Sequence, residues 1–163
     1  MFITTVYKKL NSSEIEIINN FLISHFKNNK YMDNIDFEFE PNTIIIMELL
    51  NNEIIGCVCL LDNKHLINKI NVSSIKTYYN IKNDMKGFII YNLCVHKDHR
   101  NKKIADKLIK EVINLVKQLD VKYVHTLAEN EISKKVFTNN NFTEYNIFLD
   151  IFRNQIYNLE LIF

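Results

Sequence analysis

The chain has 163 residues, enough for one domain that buries its own core, and its 47% apolar and 24% charged residues are the balance of an ordinary globular protein. Lys plus Arg number 20 and Asp plus Glu 19, so no net field points to nucleic acid or to an anionic membrane. No apolar run reaches the ~20 residues of a membrane helix, and the first residues lack a signal-peptide profile.

Phe2 to Tyr7 reads as a first strand. Ser13 and Glu16 then have the spacing of a capping box. Ile15, Ile18, Phe21, Leu22 and Phe26 recur at helical spacing behind them, which predicts a helix to about Asn28. Tyr31 to Glu40 interleaves four acids with aromatics and carries no basic residue. Thr43 to Leu50 and Glu53 to Leu61 are β-branched and apolar runs flanking Asn51-Asn52, the pattern of a hairpin. Residues from about Asp62 to Lys86 show no regular period.

Gly87 to Val95 is a long apolar strand. Ile104, Leu108, Val112, Leu115, Val116 and Leu119 make one face of a helix. Lys122 to Leu127 reads as a strand, Glu131 to Asn139 as a short helix, and Phe142 to Ile151 and Gln155 to Ile162 as two closing strands. The order β-α-β-β-irregular-β-α-β-α-β-β predicts an α/β fold, a mixed sheet with helices packed on it. No repeat or Gly/Pro-rich linker divides the chain, so residues 1–163 are expected to form a single domain. Asn-rich clusters such as Asn139-Asn140-Asn141 read as compositional bias. Cys57, Cys59 and Cys94 are an odd number of cysteines in strand-like runs. They are expected as buried thiols in a reducing, cytoplasmic setting.

The segment Arg100-Asn101-Lys102-Lys103-Ile104-Ala105 joins the strand ending at Val95 to the next helix. A strand feeding a helix sets free N–H groups and the positive end of the helix dipole at the sheet edge, a seat for phosphate. Glycine is usual in such turns because it tolerates φ > 0 and close anion approach. This turn has none.

Arg100-x-x-Lys103-x-Ala105 nevertheless resembles the acetyl-CoA pyrophosphate turn of the GNAT superfamily of N-acetyltransferases, Arg/Gln-x-x-Gly-x-Gly/Ala. Leu93-x-Val95 stands before it, and Asn130, Ser133, Val136-Phe137 and Asn141-Phe142 are spaced like that family's later signature. The resemblance covers nearly the whole chain. It implies a mostly antiparallel sheet of about seven strands, with splayed central strands and three to four helices. Lys103 and Asn141 stand where the family has glycine. Lys103 is expected to keep a helical backbone, because φ > 0 there would cost ~1–3 kcal/mol. Asn141 tolerates a left-handed backbone.

The same resemblance implies acetyl-CoA as co-substrate, with no metal, and a set of contacts to it. The backbone of Leu93, Cys94 and Val95 would hold pantetheine and the acetyl carbonyl. Arg100, Asn101, Lys102, Lys103, Ile104 and Ala105 would hold the pyrophosphate. Asn130 would bond the pantetheine arm, with Ser133 and Phe137 lining it. An acceptor amine would then attack the thioester directly in a ternary complex.

That amine must first be neutral. A lysine-like amine with pKa ~10.4 lies about 4 kcal/mol from neutrality at pH ~7.4, an α-amine less than ~1 kcal/mol. The family's usual base slots on the central strand fall at Ile89 and Tyr91, and only Tyr91 is polar. It is expected to act as base or to order a water, although a tyrosine is a poor base. The family's usual acid, a tyrosine, is here Phe137. Losing an acid typically costs ~10²–10⁴ in rate, whereas positioning supplies effective molarities of ~10⁵–10⁸ M. His125 and Glu129 are candidate replacements. Asp33, Asp36 and Phe37 are candidates for attracting a cationic acceptor.

The leading expectation is thus an acetyl-CoA-dependent N-acetyltransferase for a small amine, polyamine or peptide amine. The alternative is a catalytically weak acyl-CoA-binding protein or scaffold, which Phe137 and Lys103 favour. Nucleic-acid binding through Arg100, Lys102 and Lys103 is disfavoured by so short a patch.

Overall fold

A computed structural model of the chain describes residues 1–26, 40–63, 86–149 and 153–163. Strands β1 (Phe2–Val6), β2 (Ile44–Leu50), β3 (Glu53–Asp62), β4 (Gly87–Val95), β5 (Tyr123–Ala128), β6 (Thr143–Leu149) and β7 (Gln155–Ile162) form one sheet. Its order is β1-β2-β3-β4-β5-β7-β6. Only β4 and β5 run parallel; every other neighbouring pair is antiparallel. Three α-helices stand among the described residues: α1 (Ser12–Phe26), α2 (Ile104–Gln118) and α3 (Glu131–Thr138). The expected fold, a mostly antiparallel mixed sheet of about seven strands with three to four helices, is the one observed, with three helices among the described residues. The irregular stretch expected after Asp62 falls almost wholly outside the described residues, as does the expected end of the first helix at Asn28.

Period-two patterning places the core on both faces of the sheet. Ile46 of β2, Val58 and Leu60 of β3, and Ile90 of β4 pack with Leu108, Val112 and Val116 of α2. Their neighbours Ile45, Met47, Cys57 and Cys59 turn to the other face, where Ile18 and Leu22 of α1 cover them. All three cysteines are buried and free. Gly56 lets α2 come close: a Cβ there would lie 2.7 Å from Ile104 Cγ2 and 3.0 Å from Leu108 Cδ1.

Local chemistry explains the joints. Asn51 and Asn52 have φ of 52° and 68°, the double left-handed turn that a two-residue hairpin requires. The capping box lies two residues earlier than the sequence spacing suggested. Glu14 N–H donates to Asn11 Oδ1 at 3.0 Å and Asn11 N–H to Glu14 Oε2 at 2.9 Å. Asn11 serves as N-cap as well as serine does, and Ser13 and Glu16 fall inside the helix. The Asn139–Asn141 cluster is structural rather than mere composition. Asn140 Nδ2 donates to Asp106 Oδ1 at 3.1 Å and to Val136 O at 2.8 Å, tying α3 to the start of α2. Asn141 ends α3 with φ of 67°, the left-handed residue that closes many helices.

Candidate functional site

The site is built where β4 leaves its parallel neighbour. The β4–β5 ladder runs from Gly87–Tyr123 to Ile90–Thr126 and stops, although β4 continues to Val95 and β5 to Ala128. At the split, Thr126 Oγ1 donates to Ile90 O at 3.1 Å. Beyond it the main chain of β4 has a ladder partner only on its β3 side, which leaves peptide groups facing the gap for another molecule. Central strands splayed in this way are what the resemblance to the GNAT superfamily implied.

A β-bulge sets how β4 presents itself there. Cys57 pairs with Cys94 and Cys59 with Tyr91, so two steps on β3 face three on β4. The extra step holds Asn92, whose φ is 52°. A bulge reverses the alternation of side chains. Phe88 and Ile90 face α2 before it, Leu93 and Val95 after it, while Tyr91 and Cys94 both turn toward α1. Asn92 went unnoticed in the sequence, though it is the one amide in an otherwise apolar and aromatic strand.

A 3₁₀ turn at Lys97–His99 leads from β4 into the basic segment. Arg100 Nε donates to Val95 O at 3.4 Å and Lys102 Nζ to Asp98 O at 3.1 Å, so both side chains brace the loop. The backbone at Lys103 differs from expectation. Its φ of 59° and ψ of 23° are left-handed, as is Asn101 with φ of 60°. The physical reason is the fixed start of α2. Ile104 and Leu108 are wedged over Gly56, so the chain must reverse sharply just before Ile104. Lys103 takes the conformation that glycine supplies more cheaply. The first N–H groups of α2 have no partner within the helix.

Leu93, Cys94, Val95, Arg100, Asn101, Lys103, Ile104, Ala105, Asn130 and Ser133 all line one cavity of about 630 Å³. Ten of the residues singled out in the sequence are therefore brought together. Asn130 caps α3, its Oδ1 accepting from Ser133 N–H at 2.9 Å. That leaves its Nδ2 as the donor the cap does not use.

Five of the described candidates stand elsewhere, Tyr91 among them. Lys102 is exposed and off the cavity wall. Phe137, expected to line the groove, is 2% exposed and packs edge-on against Phe142 with ring centroids 5.2 Å apart. Its neighbour Val136 takes the lining position, because one residue along a helix turns to a different face. His125 is fully buried within β5 and does not reach the cavity. Glu129 is exposed and likewise off the wall.

Tyr91 shares a 2.8 Å hydrogen bond with Thr43 Oγ1 on the α1 face. Burial pushes its phenol above the ordinary value of 10.0, nearby Cys59 adds to the rise, and the Thr43 bond opposes it. A phenol so placed stays protonated at neutral pH, and the Thr43 bond holds it off the cavity wall. Asp33, Asp36 and Phe37 lie outside the described residues.

Sequence reasoning missed three cavity residues of chemical weight, His25, His99 and Asp106. His25, in the last turn of α1, lines the cavity beside Phe26. The available signal was its spacing of four from Phe21, which places the two on one helix face. Among the described residues no group of His, Cys, Asp and Glu could hold a metal ion, and no helix is long and apolar enough to cross a membrane.

The model of the acetyltransferase (GNAT) family matches residues 13–142. No curated protein matches the chain. Among solved structures it is similar to Escherichia coli ElaA, with 12% identity, TM-score 0.72, and 98% of this chain and 97% of that one covered. It is also similar to the Drosophila melanogaster polyamine N-acetyltransferase, an enzyme that forms N-acetylagmatine, with 12% identity, TM-score 0.72 and both chains fully covered. A third is Arabidopsis thaliana NAA60 in complex with acetyl-CoA, with 16% identity, TM-score 0.64 and both chains fully covered. Identities this low carry the fold alone, whereas the family match extends over most of the chain. Split strand, bulge, basic turn and family match agree: the chain belongs to the acetyltransferase (GNAT) family.

Proposed function

We propose that this acyltransferase acts as a single cytoplasmic domain and moves an acetyl group from acetyl-CoA to a primary amine by direct attack in a ternary complex. The observation that carries the reading is the convergence on one cavity of the unpaired β4 main chain and the N-terminus of α2. A strand edge without a neighbour can pair with the amide-bearing pantetheine arm as a further strand would. Helix N–H groups and the two left-handed residues before them suit a pyrophosphate. Leu93, Cys94 and Val95 would serve the first role, the segment from Arg100 to Ala105 the second, and Asn130 and Ser133 the arm between them.

The amine class, whether small amine, polyamine or peptide amine, is supported by what similar proteins act on: polyamines and agmatine for two of them. Tyr91, hydrogen-bonded to Thr43 and off the cavity wall, would support the α1 face of β4 rather than touch the acceptor. The leaving thiolate has no tyrosine acid in the Phe137 slot, so departure as thiolate is the route this chain would use.

A thermal-shift titration with acetyl-CoA, followed by thiol release over a panel of amines, tests the reading. Stabilisation together with turnover on at least one amine is expected. A second reading, a weak acyl-CoA-binding scaffold, draws on Phe137 and on the left-handed Lys103. Stabilisation without turnover on any amine would select it, and no response to acetyl-CoA would dismiss both.

A further inference from the structure

We infer that His25 is the proton acceptor for the incoming amine, supplied from the end of α1 in place of a base on β4. The inference rests on the acyltransfer reading above. His25 Nδ1 lies 2.6 Å from Phe21 O and 2.9 Å from Ser24 Oγ. A carbonyl oxygen can only accept, and the Ser24 hydroxyl already donates to the same carbonyl at 2.7 Å. Nδ1 therefore carries the hydrogen, and in the neutral ring Nε2 is left with a bare lone pair. The ring is held on two further sides, by Phe21 with centroids 4.3 Å apart and by His96 with centroids 5.5 Å apart. The result is a base of fixed tautomer and restricted rotation on the wall of the cavity that also contains Leu93, Cys94 and Val95. His99, the remaining cavity histidine, also packs on His96, with ring centroids 5.7 Å apart, but sits in the loop beside Arg100 without the carbonyl contact that fixes the tautomer of His25.

The proton balance defines the task. An acceptor arriving as ammonium and leaving as amide loses two protons. His25 Nε2 takes the first before attack and passes it to water. The amine nitrogen then forms the C–N bond to the acyl carbon, and the C–S bond breaks with its electron pair on sulfur. The second proton, shed from nitrogen, neutralises that thiolate.

The charged and titratable groups that share the cavity with His25 or touch its ring come from β4, the loop after it and α2, and none from α3. They are His96 and Cys94 at the end of β4, His99 and Arg100 in the loop, and Lys103 and Asp106 at the start of α2. A structural role for the same ring, capping the last turn of α1 through Phe21 O, is the competing account.

Two variants separate these accounts. His25→Asn keeps an N–H donor for Phe21 O but has no basic nitrogen. Its melting temperature and acetyl-CoA affinity should match wild type, while kcat for agmatine, spermidine or a peptide α-amine should fall ~10²-fold or more. His25→Ala should recover part of its rate when imidazole is added. Wild-type kcat in His25→Asn would overturn the assignment and leave acyl transfer intact. A fall in kcat matched by losses of melting temperature and acetyl-CoA affinity, with no imidazole rescue, would make the ring a cap and likewise overturn it. Should wild type bind acetyl-CoA yet release no thiol with any amine, acyl transfer itself fails, and the role of His25 with it.

Discussion

Lys103 shows how a single residue can carry a conformation its side chain disfavours. A non-glycine residue held at φ of 59° stores of the order of 1–3 kcal/mol, and only a surrounding structure that fixes its neighbours can keep it there. Replacing it by glycine removes the Cβ clash but adds backbone freedom to the unfolded chain, about 0.5–1 kcal/mol in the opposite direction. Lys103→Gly should therefore raise stability by about 1 kcal/mol in thermal or urea unfolding. A destabilised variant would mean that the lysine side chain contributes more than its backbone costs. Asn11 makes the opposite case, a side chain well matched to its place. Asn11→Ala should lose about 1 kcal/mol, because the reciprocal bonds with Glu14 satisfy two groups at once. Ser13→Ala, at the position the spacing first suggested, should change little.

At the scale of elements, β4 and α2 decide the site together. The bulge at Asn92 shifts the alternation so that Leu93 and Val95 meet the α2 face, and Gly56 brings α2 down onto β3 so that its N-terminus meets the end of β4. Gly56→Ala would place a methyl 2.7 Å from Ile104 Cγ2, the methyl of a β-branched side chain with little room to turn. We expect a loss of about 1–3 kcal/mol and a weaker response to acetyl-CoA, since displacing Ile104 moves the turn that precedes it. Equal melting temperature and equal acetyl-CoA response in the variant would show that α2 is not so closely seated. The strands and helices themselves were legible: β4 and β7 have the bounds their apolar runs predicted. The bulge was not, because inserting one residue leaves the run of apolar letters intact and changes only which face each letter meets.

The whole molecule carries a pH signature from its buried thiols and phenol. Burial pushes Cys59 and Cys94 well above the ordinary thiol value of 9.0, and Tyr91 above 10.0. At alkaline pH the unfolded chain releases these protons before the folded one does. Their contribution to stability is therefore complete below about pH 9 and is lost as pH rises through the folded values. The melting temperature should fall along the alkaline arm, and a flat profile would show that these groups open to solvent without unfolding.

By itself the sequence determined the element order, the hairpin at Asn51-Asn52 and the basic turn ahead of α2. Those features depend on period and on local turn chemistry, which neighbouring residues specify. Only the tertiary structure decided that ten of the predicted site residues share one cavity, that Phe137 and Tyr91 do not reach it, and that His25 does. Each of those outcomes depends on which face of an element meets a partner far away in the chain. Lys103 belongs with them: its left-handed backbone follows from the seating of Ile104 over Gly56, a contact between residues almost fifty positions apart.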